Sequence, residues 1–288
     1  MTSSRAGMRI LVTVLFSGRR RLPRDRRAKA RGATRHRRPW HRAAVPLVSV
    51  WLSVLAVAGM GLAAGPLGNP HHYTLITGYD GYAKRNVVIR WNPCTTITYR
   101  INAGRGGRGA LGDARTAMAR LASASGLRLK YLGPTSYIPT GKPAKFFGHT
   151  VYVFDPADQY AHTGANLVIA WARPGRGVGR SLLLNSYGED GVGGYYYQWS
   201  STQRLRITAG FAIIRSDVAL RPGFGKGITR GHFLLHELGH AVGLAHYNDG
   251  VQVMTAVWNA SNRSPAQYNA GDIAGLHHVG RAAGCIAP

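Results

Sequence analysis

Eleven consecutive residues, His236-Glu237-Leu238-Gly239-His240-Ala241-Val242-Gly243-Leu244-Ala245-His246, have the form H-E-x-x-H-x-x-G-x-x-H. On a helix, His236 and His240 are four apart and share one face, so two imidazoles can reach one metal ion. Glu237, beside the first ligand, can reach a water at that ion without binding the ion itself. Gly243 is where the helix should stop, because glycine tolerates positive φ. The chain can then turn and bring in His246 as a third ligand. Three neutral protein ligands leave a fourth position for water, the layout of a catalytic zinc site rather than a closed structural one. Ordinary surface histidines would account for His236 and His240, but not for Glu237, Gly243 and His246 beside them.

Met254 lies eight residues beyond His246. The extended motif followed by a methionine resembles the metzincin zinc proteases, and the short gap looks most like their matrixin branch. The resemblance implies a zinc endopeptidase with one catalytic Zn2+ on His236, His240 and His246. Glu237 would be general base and acid, and Met254 a hydrophobic floor beneath the ion. Asp272-Ile273-Ala274-Gly275-Leu276, followed by Gly280, looks like the family's closing helix. Trp91-Asn92-Pro93-Cys94 is similar to the opening of exported bacterial matrixin-like proteases. The match is specific over 232–280 and architectural over 86–215. The implied fold class is α+β: a twisted, mixed, mostly parallel sheet with an active-site helix, a small irregular lower part and a C-terminal helix.

The chain also departs from that family. Residues 66–88 contain no cysteine, so the propeptide thiol that blocks zinc in animal members is missing. The segment that supplies their structural zinc and calcium is not recognisable, so neither ion is assigned and calcium stays open. Some metzincins place a tyrosine two residues after the methionine, where Ala256 stands here. The implied partner is a protein or peptide, bound extended by strand addition to a sheet edge. The side chain after the cut would enter a pocket near Met254, bounded by Ala256, Val257 or Trp258. A non-catalytic extracellular peptide-binding module on the same fold is the alternative. Intact Glu237 speaks for the enzyme.

Charge decides where the protein acts. Residues 1–42 hold fourteen Lys or Arg against the single acid Asp25, which is half of the formal +26. From Ala43 to Ala64 no residue is charged, and 22 such residues can span a bilayer. A basic block before an apolar run is the layout of a signal peptide or signal anchor, basic end inside. Gly61-Leu62-Ala63 offers a small-x-small cleavage site, and Met8 is a possible later start. The expected organisation is a basic cytoplasmic segment 1–42, a signal or transmembrane segment 43–65, a linker 66–88 and a zinc peptidase domain 89–288. The body is then exported, secreted or held at the membrane by the apolar run if uncleaved. No nucleic-acid partner is expected, since half the excess charge precedes the apolar run and the rest shows no recognition motif. Cys94 and Cys285 are the only cysteines, an even pair that suggests one disulfide outside the cell.

Periodicity places the elements. Val87–Trp91 and Thr96–Ile101 are rich in β-branched and aromatic residues and suggest strands. Residues 109–125 repeat at helical spacing, with Gly126 as stop. Arg128–Leu132, Thr150–Phe154, Leu167–Ala172 and Ile207–Arg215 suggest further strands, Leu167–Ala172 being apolar enough to be central. Tyr195–Trp199 suggests an edge strand inside the Gly-rich stretch 174–206. The motif helix is expected at about 230–242, and a last helix from Ser264-Pro265 to about His278. His71-His72 is expected to be exposed, and neither this pair nor Tyr247 receives a role.

Overall fold

Strands with alternating or wholly apolar faces need a sheet to bury them, and five of them form one. The computed structural model describes residues 65–81, 83–146, 149–175, 182–183, 190–199, 204–256 and 266–287. The basic segment 1–42 and the apolar run up to Ala64 lie outside these residues. No helix among the described residues is long and apolar enough to cross a membrane.

In chain order the elements are β1 (Thr74–Leu75), β2 (Thr77–Asp80), β3 (Arg85–Val88), β4 (Ile97–Asn102), α1 (Ala110–Ser125), β5 (Leu129–Pro134), β6 (Gly141–Phe146) and β7 (His149–Phe154). There follow α2 (Pro156–Thr163), β8 (Leu167–Ala172), β9 (Gly191–Trp199), β10 (Leu205–Arg215), α3 (Arg230–Val242), β11 (Leu244–Ala245) and α4 (Ala270–Val279). The main sheet runs β5-β4-β8-β10-β9. Its pairings are parallel except β9, which lies antiparallel to β10 at the edge. The fold is therefore mixed α+β around a mostly parallel sheet. β8 is central and all six of its residues are buried, as a strand covered on both faces requires.

The pleat divides the core. Ala212 and Ile214 of β10 join Leu167, Ile169 and Trp171 in one cluster with α1 and α3. Phe211 and Ile213 point to the other face, against Phe154, Leu182, Leu183 and Val192. α1 buries Ala110, Ala114, Ala117, Met118 and Leu121, an apolar stripe at helical spacing. Gly126 ends it with φ 68°, in the left-handed region. Every residue of α3 is buried, so the motif helix lies inside the body.

Four expectations need correction. The stretch 66–88 is no free linker: it carries β1, β2 and β3, and β1 pairs with β11 far along the chain. Strands of two to four residues show no readable period. The expected strand Val87–Trp91 is split. Its first part belongs to the β2–β3 hairpin, while Trp91 bridges Ile207 and donates its indole N–H to Ala241 O at 2.9 Å. Thr150–Phe154 falls in β7, but in a hairpin with β6 outside the main sheet. The last helix begins at Ala270, because Asn269 and Asp272 form a capping box there. Residues 264–265 lie outside the described set.

α2 is not among the elements expected from periodicity. Its signal was Asp155-Pro156-Ala157-Asp158: Asp155 caps the helix by accepting from Asp158 N at 3.3 Å, and Pro156 stands in the first turn. The two ends of the body are pinned together. Cys94 and Cys285 are disulfide-bonded, with Cα atoms 5.4 Å apart. Asn92 Nδ2 donates to Ile286 O at 2.9 Å, and Arg90 donates to Ala283 O at 3.1 Å and Gly284 O at 2.9 Å.

Candidate metal centre

α3 presents His236 and His240 one turn apart, both about 1% exposed. Gly243 then ends the helix with φ 112°, and a Cβ there would stand 2.6 Å from Ile89 O. Glycine is required on both counts. β11 turns the chain, and His246 follows it. The three Nε2 atoms form a triangle with every edge 3.1 Å. Among the described residues this is the one group of three or more His, Cys, Asp or Glu side chains placed to hold a metal ion. Nitrogens that close could all lie within a zinc–nitrogen distance of about 2.0–2.1 Å of one shared ion.

The outer nitrogens fix the tautomers. His236 Nδ1 donates to Val253 O at 2.7 Å, and His240 Nδ1 donates to Leu244 O at 2.8 Å. With Nδ1 protonated, each neutral ring turns a bare Nε2 lone pair to the centre, the arrangement that metal-binding histidines use. Burial holds the rings neutral. It pushes His236 down to about 3, helped by His246, and His246 down to about 4. His240 is driven well below the ordinary range, by burial first and then by the two neighbouring imidazoles. Lone pairs converging at 3.1 Å repel one another, and a cation turns that repulsion into attraction. The donor set therefore fits a metal ion that favours nitrogen ligands.

Glu237 is fully buried on the same turn of α3. Strand β9 presses on it. A Cβ at Gly191 would come 2.6 Å from Glu237 Oε1, and one at Gly193 would come 2.1 Å from Glu237 O. Sequence reasoning missed both glycines. Their signal was the alternation Gly191-Val192-Gly193 within a strand, which marks close backbone approach.

Met254 is 2% exposed, and its sulfur lies against α3 where a Cβ on Gly239 would be 2.4 Å from Sδ. Its turn is held from α4. Asp272 accepts from Val253 N at 2.7 Å, Met254 N at 3.2 Å and Asn269 N at 2.9 Å. Burial pushes the Asp272 carboxyl up to about 6, against the pull of these three N–H donors. Gln252 answers by accepting from Gly271 N at 3.0 Å and Asp272 N at 3.1 Å. Since Val253 O receives the His236 proton, α4 supports that imidazole through two backbone steps. Asp272 stood in the sequence as part of the closing helix, but this bond was not readable there.

Ala256 N donates to Asn248 Oδ1 at 2.9 Å, which folds the loop back on itself. Val257 and Trp258, expected beside a pocket, lie outside the described residues. His71 is exposed as expected, whereas His72 is half-buried against Tyr247 and Asp249. No protein-family model and no curated protein matches this chain.

Proposed function

We propose that the chain is a zinc-dependent endopeptidase of the metzincin kind, most similar to the matrixin branch, exported and acting on extended protein or peptide substrates. One observation carries the reading: the Nε2 atoms of two buried imidazoles, His236 and His240, and of the half-buried His246 converge on one point, with a buried glutamate beside His236 on its helix. His236, His240 and His246 would hold the ion. When bound, zinc would supply Lewis acidity and lower the pKa of a water to about 7.

The chain supplies the rest. Glu237 takes the proton of the attacking water and returns it to the leaving amine, a contribution of about 10²–10⁴-fold. Gly191 leaves the room its carboxylate occupies. Met254 fills the floor against Gly239 and keeps water from beneath the ligands. β9 is the antiparallel edge strand packed on α3, and it offers main-chain groups to an extended substrate. Export rests on the basic block followed by the uncharged run Ala43–Ala64.

Glu237→Gln tests the reading, because it keeps size and removes the basic oxygen. Metal analysis should give about one zinc per chain in native and variant alike. Hydrolysis of a diverse peptide library should fall by at least about 10²-fold in the variant. Equal hydrolysis would mean that another base does the work. A native chain that holds zinc and peptides without cutting would instead be the non-catalytic binding module.

A further inference from the structure

Residues 67–76 lie along the loop that carries His246, although His72 and its partner Asp249 are 177 residues apart in the chain. Leu67 O accepts from Ala270 N at 2.9 Å. Gly68 passes so close that a Cβ there would stand 2.6 Å from Gln252 Nε2. His72 Nδ1 bonds to Asp249 Oδ2 at 2.8 Å, and its ring stacks on Tyr247 with centroids 4.8 Å apart. β1 then pairs with β11, Thr74 opposite Ala245 and Leu75 opposite Leu244. Ile76 N donates to Gly243 O at 2.9 Å. From Gly243 to Asp249, the loop leans on this segment. His236 and His240 ride on α3, whereas His246 has only this loop to hold it.

We infer that residues 67–76 are a strap that sets the third ligand, and that His72 is a positioning residue for His246, acting through Tyr247 and Asp249. The inference rests on the reading of His236, His240 and His246 as the ligand set. A loop without the strap would have to order itself on binding the ion, and that cost would subtract from metal affinity. The strap meets the cost when the body folds. Cleavage within Gly61-Leu62-Ala63 leaves the strap whole, because it falls ahead of Leu67. Removal of the chain beyond Tyr73 would take His72 with it and weaken the centre without touching a ligand.

The test strips the full chain with chelator and titrates it with Co2+, whose visible absorption reports ligand number. His72→Ala should raise the Co2+ Kd about tenfold, and Asp249→Asn by a comparable factor. His72→Phe, which keeps a ring over Tyr247, should lose less. His246→Ala should abolish tight binding. If His72→Ala and Asp249→Asn both stay within about twofold of native while His246→Ala loses the ion, the strap is overturned and the ligand set stands. If His246→Ala binds Co2+ as the native chain does, the ligand set is wrong and the strap falls with it. Hydrogen exchange of metal-free His72→Ala guards against a folding artefact. Faster exchange confined to residues 244–249 supports the strap. Unchanged exchange, or exchange equally faster in α1, overturns it.

Discussion

At the residue scale, the imidazoles make the centre sensitive to acid even before any ion is considered. Their ordinary pKa is 6.5, and burial lowers His236 to about 3 and His246 to about 4. Below 6.5 the unfolded chain takes up protons that the folded chain refuses. The neutral rings thus contribute stability above about pH 6.5, and that contribution is lost as pH falls towards 4 and then 3. Chelator-treated protein should show a melting temperature that declines steadily from pH 6.5 to 4. A flat profile there would mean that the rings are less buried than the structure has them. A bound metal ion should steepen the same decline, because protons compete with the ion for Nε2.

Among the elements, the joint between α4 and the methionine turn matters most. Asp272 is a single carboxylate serving three buried amide N–H groups, those of Asn269, Val253 and Met254. Asp272→Ala leaves all three without that acceptor. An orphaned buried donor costs about 1–3 kcal/mol, so a loss on the order of 3 kcal/mol is expected in urea unfolding. The turn it frees also carries Val253 O, the acceptor of the His236 Nδ1 proton. Metal affinity should therefore weaken together with stability. A stable Asp272→Ala variant with native metal affinity would show that the turn holds itself. The glycines of β9 act at the same scale: Gly193 lets strand and helix backbones meet, and no larger residue has room there.

For the whole molecule, the covalent tie between the ends is the largest single constraint. The Cys94–Cys285 bond closes 191 residues. In the chain-entropy model, a loop of that length stabilises by about 5 kcal/mol. Cys94→Ala with Cys285→Ala should shift the guanidinium midpoint downward accordingly. Bonds from Asn92 to Ile286 and from Arg90 to Ala283 and Gly284 remain in the variant, so the body should still fold. Identical midpoints with and without the bridge would show that the unfolded chain is already compact between those ends.

Much of the centre could be read from eleven residues, because helix geometry is local. The spacing of His236 and His240 places them on one face whatever surrounds them, and Gly243 marks the stop. The strands of the main sheet were legible for a similar reason, as β8 and β10 are long enough to show their pattern. By itself, then, the sequence determined the three histidines that could hold a metal ion, the helix that carries two of them, the central strand and the pairing of the two cysteines. Only the tertiary structure decided what surrounds them. It set Gly191 and Gly193 against Glu237, Asp272 beneath the methionine turn, and His72 beside the loop of His246. None of these contacts has a period or a spacing. Each joins segments far apart in the chain, and their meeting depends on the order of strands in the sheet and the packing of helices upon it.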